Sequence, residues 1–126
     1  MKRPIHDSEI PWEVTYPGTH REIRGKALCD VGGRAKVGVG VLELPPGSDT
    51  TPAHYHSAEE EHLYVLEGRL VLQLGEARFE LVPGSYVCFP AGQPIMHHLQ
   101  NPYGGPARYL MIGERIASDE AFHAPS

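Results

Sequence analysis

Glycine and proline interrupt this chain so often that turns, not long regular elements, set its architecture: 14 Gly and 12 Pro fall within 126 residues. Between them the apolar residues recur mostly at every second position and not at the 3.6-residue spacing of a helix, which predicts short strands. Lys26 to Val31, Ala35 to Leu44, Ala53 to His56, Leu63 to Leu66, Leu70 to Leu74, Ala77 to Val82, Ser85 to Phe89, Ile95 to Leu99 and Arg108 to Gly113 read as strands. The turns between them are expected at Gly32-Gly33, Pro45-Pro46-Gly47, Ser57-Ala58, Gly68, Gly75-Glu76, Pro83-Gly84, Pro90-Ala91-Gly92 and the loop from Asn101 to Pro106. An all-β domain of eight or nine close-spaced strands follows, laid out as a sandwich or a jelly roll.

The strand patterns also carry expectations about faces. Val37, Val39 and Val41 alternate with Gly38 and Gly40, which gives one packed face and one where something approaches the backbone closely. Ala77, Phe79 and Leu81 alternate with Arg78 and Glu80, one face buried and one wet. Leu63 to Leu66 is apolar on both faces, so both should be covered.

The length fits one domain with one core. Residues 1–25, broken by Pro4, Pro11 and Pro17, read as an extended arm whose Trp12 and Tyr16 need a surface to cover. Residues 26–113 hold the strands, and 114–126 form a short polar tail with one helical turn expected from Ser118.

Composition narrows the function. A net charge of -5 with only 11 Lys and Arg leaves no basic patch for nucleic acid. No stretch reaches membrane-spanning length, and Met1-Lys2-Arg3 is not followed by the apolar run of a secretory signal. Cys29 and Cys88 lie far apart and read as reduced, small core residues of a cytoplasmic protein, Cys88 packing within Tyr86-Val87-Cys88-Phe89.

The chemistry concentrates between Pro52 and Gly68. On a strand, residues two apart share a face and lie roughly 6.5–7 Å apart, so His54 and His56 can converge on one ion while Tyr55 points away. A turn at Ser57-Ala58 and a returning strand bring one of Glu59, Glu60 or Glu61 beside them, adding oxygen to two nitrogens. For proton transfer the further candidates are Tyr55, Tyr86, Tyr103, Tyr109 and Arg108, whose faces the pattern does not settle; Asn101 reads as a turn cap before Pro102.

These residues resemble the motifs of the cupins. Gly47, His54, His56, Glu61 and Gly68 follow the first motif, and the six residues between Glu61 and Gly68 select Glu61 from the acidic run. Gly84, Pro90 and Gly92 follow the second, whose His and Asn are matched by His97 and Asn101 two residues later than the usual spacing. The resemblance covers about residues 30–113 and implies a cupin-type double-stranded β-helix, a jelly-roll barrel, with an extended N-terminal arm.

It further implies that His54, His56, Glu61 and His97 hold one divalent transition metal ion (Fe, Mn, Ni, Zn or Cu) in a protein that takes a small organic molecule. Dioxygenase-, isomerase- or decarboxylase-like chemistry would follow; the alternative is a non-catalytic domain that binds a sugar or carboxylate around a structural metal. Within this scheme Glu59 is a solvated turn residue, Glu60 a possible support for a ligand, and His62 and His98 face outward. Val65, Phe79, Ile95 and Leu99 line a small, partly apolar cavity. His62, Tyr64 and Leu66 share an outer face that suits a homodimer contact, unless the second sheet or the arm covers it.

Overall fold

The computed structural model describes residues 3–32 and 35–124. Among these, eleven strands form: β1 (Glu13–Thr15), β2 (Ile23–Ala27), β3 (Val37–Leu44), β4 (His54–His56), β5 (Glu61–Glu67), β6 (Leu70–Leu74), β7 (Ala77–Leu81), β8 (Tyr86–Phe89), β9 (His97–Gln100), β10 (Ala107–Glu114) and β11 (Ala121–His123). They build two antiparallel sheets, one in the order β1-β2-β3-β10-β5-β8 and one in the order β11-β4-β9-β6-β7. The chain passes repeatedly from one sheet to the other, the all-β jelly-roll arrangement expected from its punctuation.

Alternation puts the apolar residues between the sheets. Leu44, Leu63, Val65 and Leu70 are fully buried, joined by Leu72, Leu99 and Tyr109; each such aliphatic side chain stabilises the fold by roughly 1.5–3 kcal/mol. The longest ladder sets the register: β10 pairs β3 from Ala107 opposite Leu44 to Glu114 opposite Val37. Gly68, at φ 75°, ends β5, and a Cβ there would collide with the Pro106 carbonyl oxygen. Asn101 caps its turn by accepting from Tyr103 N at 3.1 Å, and its buried amide also donates to Leu44 O at 2.8 Å, fastening that loop to β3.

Several local expectations change. The strand expected over Lys26 to Val31 ends at Ala27 and gives way to a short helix, Leu28–Gly32, because Leu28-Cys29-Asp30 has no alternation to hold it in a sheet. Of the Gly32-Gly33 turn, Gly33 lies outside the described residues. The segment before residue 25 contributes β1 and β2 to the sheet edge, and Trp12 covers Lys26 and Arg108, 4.4 and 5.3 Å from its ring. Tyr16 stays 60% exposed.

Instead of a helical turn from Ser118, the chain makes a turn there and then adds β11 to the free edge of β4. Phe79 is 48% exposed because β7 is an edge strand, with only Leu81 on it buried. Ile95 is also 48% exposed, on the loop before β9 begins at His97, yet it lines a small cavity as expected. Tyr64 and Leu66 are covered by neither sheet nor arm, at 44% and 41% exposure.

Candidate metal centre

The three-residue strand β4 positions two imidazoles by parity alone. His54 and His56 face the space between the sheets with ring centroids 5.1 Å apart, while Tyr55 turns out and stacks on Phe122. β9 lies beside β4 with His97 directly opposite His54, ring centroids 4.6 Å apart. His97 is 5% exposed and stacks flat on Phe89 at 3.8 Å. From the opposing sheet Glu61, the first residue of β5, brings Oε1 within 2.9 Å of His56 Nε2 and 3.8 Å of His97 Nε2. One donor atom from each of His54, His56 and Glu61 lies within 4.8 Å of the others.

The electrostatics of this cluster suit a cation. Burial, and then the neighbouring imidazoles His54 and His56, hold His97 down to about 3. Burial and then His56 likewise lower His54, so these rings are neutral and carry the lone pairs a metal needs. Burial raises Glu61, and its Oε1 is enclosed without a hydrogen-bond partner even though two imidazole nitrogens face it. A buried oxygen left in that state calls for a positive charge between it and the nitrogens.

The second layer includes residues the sequence did not point to. Asp119 Oδ2 lies 2.7 Å from His56 Nδ1, and its Oδ1 accepts from Ala58 N and Glu59 N at 2.9 Å. Burial alone would raise Asp119; the bonds from Ala58, His56 and Glu59 outweigh it and bring it to about 2. Its carboxylate therefore holds the His56 ring by Nδ1 and turns Nε2 toward Glu61. Asp119 is separated from His56 by 63 residues and has no local pattern to mark it. His123, opposite His54 on β11, adds another imidazole 5.6 Å from the His54 ring.

The acidic run separates into three roles. Glu59, expected to be solvated, is instead partly enclosed, and its Oε2 accepts from Ile116 N at 2.8 Å. Glu60 gives no support to the cluster; it pairs with His62 outside the barrel at 2.7 Å. Cys88, expected in the core, is half-buried on the outer side of β8, because its neighbours Val87 and Phe89 take the inward positions. Of the other expected proton-transfer candidates, Tyr109 is buried in the core and raised by burial, and Arg108 is bound to Glu43 at 3.0 Å. Tyr103 lies under Arg69.

Two cavities meet the cluster. The larger, about 410 Å³, has Glu61 and Glu59 in its wall; Gly25, Gly38, Gly40 and Gly113 expose backbone to it, and Ile23, Leu42 and Met111 add apolar surface. The glycine face of β3 is thus the one that another molecule can approach. The smaller, about 60 Å³, is lined by His56, His97, Phe89 and again Glu59.

The chain is similar to known proteins in sequence and in fold. The chain is 35% identical over 65 residues to quercetin 2,3-dioxygenase of Bacillus subtilis, covering 52% of this chain and 19% of that protein. It is 32% identical over 72 residues to the tetracenomycin polyketide synthase protein TcmJ of Streptomyces glaucescens, covering 57% and 46%. The match thus spans less than half the length of either relative. Among solved structures, a sugar phosphate isomerase of the cupin superfamily from Silicibacter pomeroyi superposes with a TM-score of 0.88 at 28% identity, covering 98% of this chain and 83% of that one. The cupin domain family matches residues 40–113, which include all four converging side chains, and the chain belongs to that family.

Proposed function

We propose that His54, His56, Glu61 and His97 hold one divalent transition metal ion and that the protein is a metal-dependent enzyme acting on a small, oxygen-bearing organic molecule. The observation that carries this reading is the enclosed Glu61 Oε1, unpartnered and facing two imidazole nitrogens at 2.9 and 3.8 Å. A bound ion of this kind supplies Lewis acidity to a substrate oxygen. The chain's own residues do the rest: the larger cavity seats the substrate against Gly25, Gly40 and Met111, and Glu59, in the walls of both cavities, moves a proton.

The lining favours an uncharged, partly apolar substrate over a sugar phosphate. Glu13, Glu59, Glu61 and Glu114 outnumber Lys26 and Arg115 there. Arg115 is bound to Asp30, and the Lys26 ammonium donates to Asp7 O and lies over Trp12, so no described cation in the wall is left for a phosphate dianion. Isomerase- or dioxygenase-like chemistry on an enolisable, polyketide-like molecule fits this wall, and the relatives in quercetin and polyketide chemistry support it.

The free thiols Cys29 and Cys88 are consistent with a reducing, cytoplasmic setting, and no described helix is long and apolar enough to cross a membrane. The bare Tyr64, Leu66 and Tyr86 surface supports a homodimer, which Leu66→Glu should convert to monomer in light scattering. The test of the main reading is metal content by mass spectrometry, followed by oxygen uptake and isomerisation assays over enol, phenol and sugar phosphate substrates. Stoichiometric metal with turnover of the uncharged substrates is expected. Metal without turnover would favour a non-catalytic binding domain, and the absence of metal binding at any concentration would end both readings.

A further inference from the structure

Outside the barrel, on the face of the six-stranded sheet turned away from the metal centre, Glu60, His62 and Cys88 form a separate group of donors. His62 and Cys88 are direct partners across β5 and β8. Antiparallel partners hold their Cβ atoms about 4.5–5.5 Å apart, a span that an imidazole nitrogen and a sulfur can close around one ion. Glu60, two residues before His62, places Oε2 2.7 Å from His62 Nε2. One donor atom from each of the three lies within 4.8 Å of the others.

A second observation concerns the ring itself. His62 Nδ1 is held by the Tyr86 hydroxyl at 2.6 Å, which leaves Nε2 as the nitrogen turned toward Glu60. A histidine fixed through one nitrogen by a neutral partner, with the other nitrogen beside a carboxylate, has the outer support that metal-binding histidines receive. The same surroundings argue against a reactive cysteine: burial and then the Glu60 carboxylate raise the Cys88 thiol above its ordinary value.

We propose that Glu60, His62 and Cys88 form a second metal site, independent of the centre between the sheets, for zinc or a similar divalent ion that favours mixed nitrogen, sulfur and oxygen donors. Three protein donors leave the fourth tetrahedral position to water. The inner cluster contains no sulfur, so the two sites give different spectra and each can fail without the other.

The test is a Co(II) titration of metal-free protein, read as sulfur-to-cobalt charge-transfer absorption in the near ultraviolet. A band whose final amplitude corresponds to one sulfur-bound cobalt per chain, reached when both sites are filled, is expected, displaced by Zn(II), retained in Cys29→Ser and lost in Cys88→Ser. His62→Ala should weaken cobalt binding at this band by at least the roughly 10–100-fold that outer-shell partners alone command. No band at saturating cobalt, or a band that survives Cys88→Ser, overturns the proposal.

Discussion

The stretch from His54 to Glu61 and the segment from Ile116 to His123 hold the two sides of the same site, yet they differ in kind. The first brings three inward donors within eight positions, spaced by strand parity and one tight turn. The second brings a carboxylate that grips His56 and a strand that closes the edge of β4. Donors cluster in sequence because one short strand and its return can aim them together. Their support comes from wherever the fold happens to bring backbone alongside.

That contrast can be tested by removing one side at a time. His56→Ala takes away a donor and leaves Asp119 facing a void, so metal affinity in a chelator competition should fall by more than about 100-fold, beyond the range of any supporting residue. Asp119→Asn keeps the shape but weakens the hold on His56 Nδ1; a loss of roughly 10–100-fold is expected. An equal loss in the two variants would erase the distinction between donor and support. Smaller still is the clasp between β4 and β11: a double-mutant cycle on Tyr55→Ala and Phe122→Ala, whose rings stack at 5.1 Å, should yield about 0.5–1.5 kcal/mol of coupling in urea unfolding. Coupling near zero would show that β11 adheres through its backbone alone.

Tyr109 supplies the baseline, a core residue belonging to neither side. Its folded pKa is raised by burial above the ordinary tyrosine value of about 10. The native state therefore keeps a proton that the unfolded chain gives up, and the associated stability is complete below about pH 10 and declines as pH rises beyond it. Tyr109→Phe should flatten that alkaline decline while leaving metal affinity near the native value, and a steep decline persisting in the variant would assign it to another group.

The sequence showed most of the barrel because period-two patterning between Gly and Pro turns is a local signal. The hairpin at Gly75-Glu76 and the ladder strands β3 and β10 lie within a residue or two of where alternation placed them. By the same local spacing His54, His56 and Glu61 have donor atoms within 4.8 Å of one another, and His97 stands opposite His54. What it missed depends on partners far along the chain. β11 exists because β4 offers an open edge, and Asp119 matters because it meets His56, two facts with no trace near residue 119. Phe79 departs from expectation for a related reason: alternation says which residues share a face, not whether anything covers it.

The distance along the chain between His56 and Asp119 has a consequence for how the protein is made. At a synthesis rate of ~5–20 residues per second, the 63 positions separating them take roughly 3–13 s to emerge. For much of that interval the nascent chain presents His54, His56 and the acidic run without His97, and for all of it without the carboxylate that orients His56. The surroundings of His56 are therefore complete only once the segment carrying Asp119 has docked beside β4, so an ion taken up as proposed would meet a folded chain and not a nascent one.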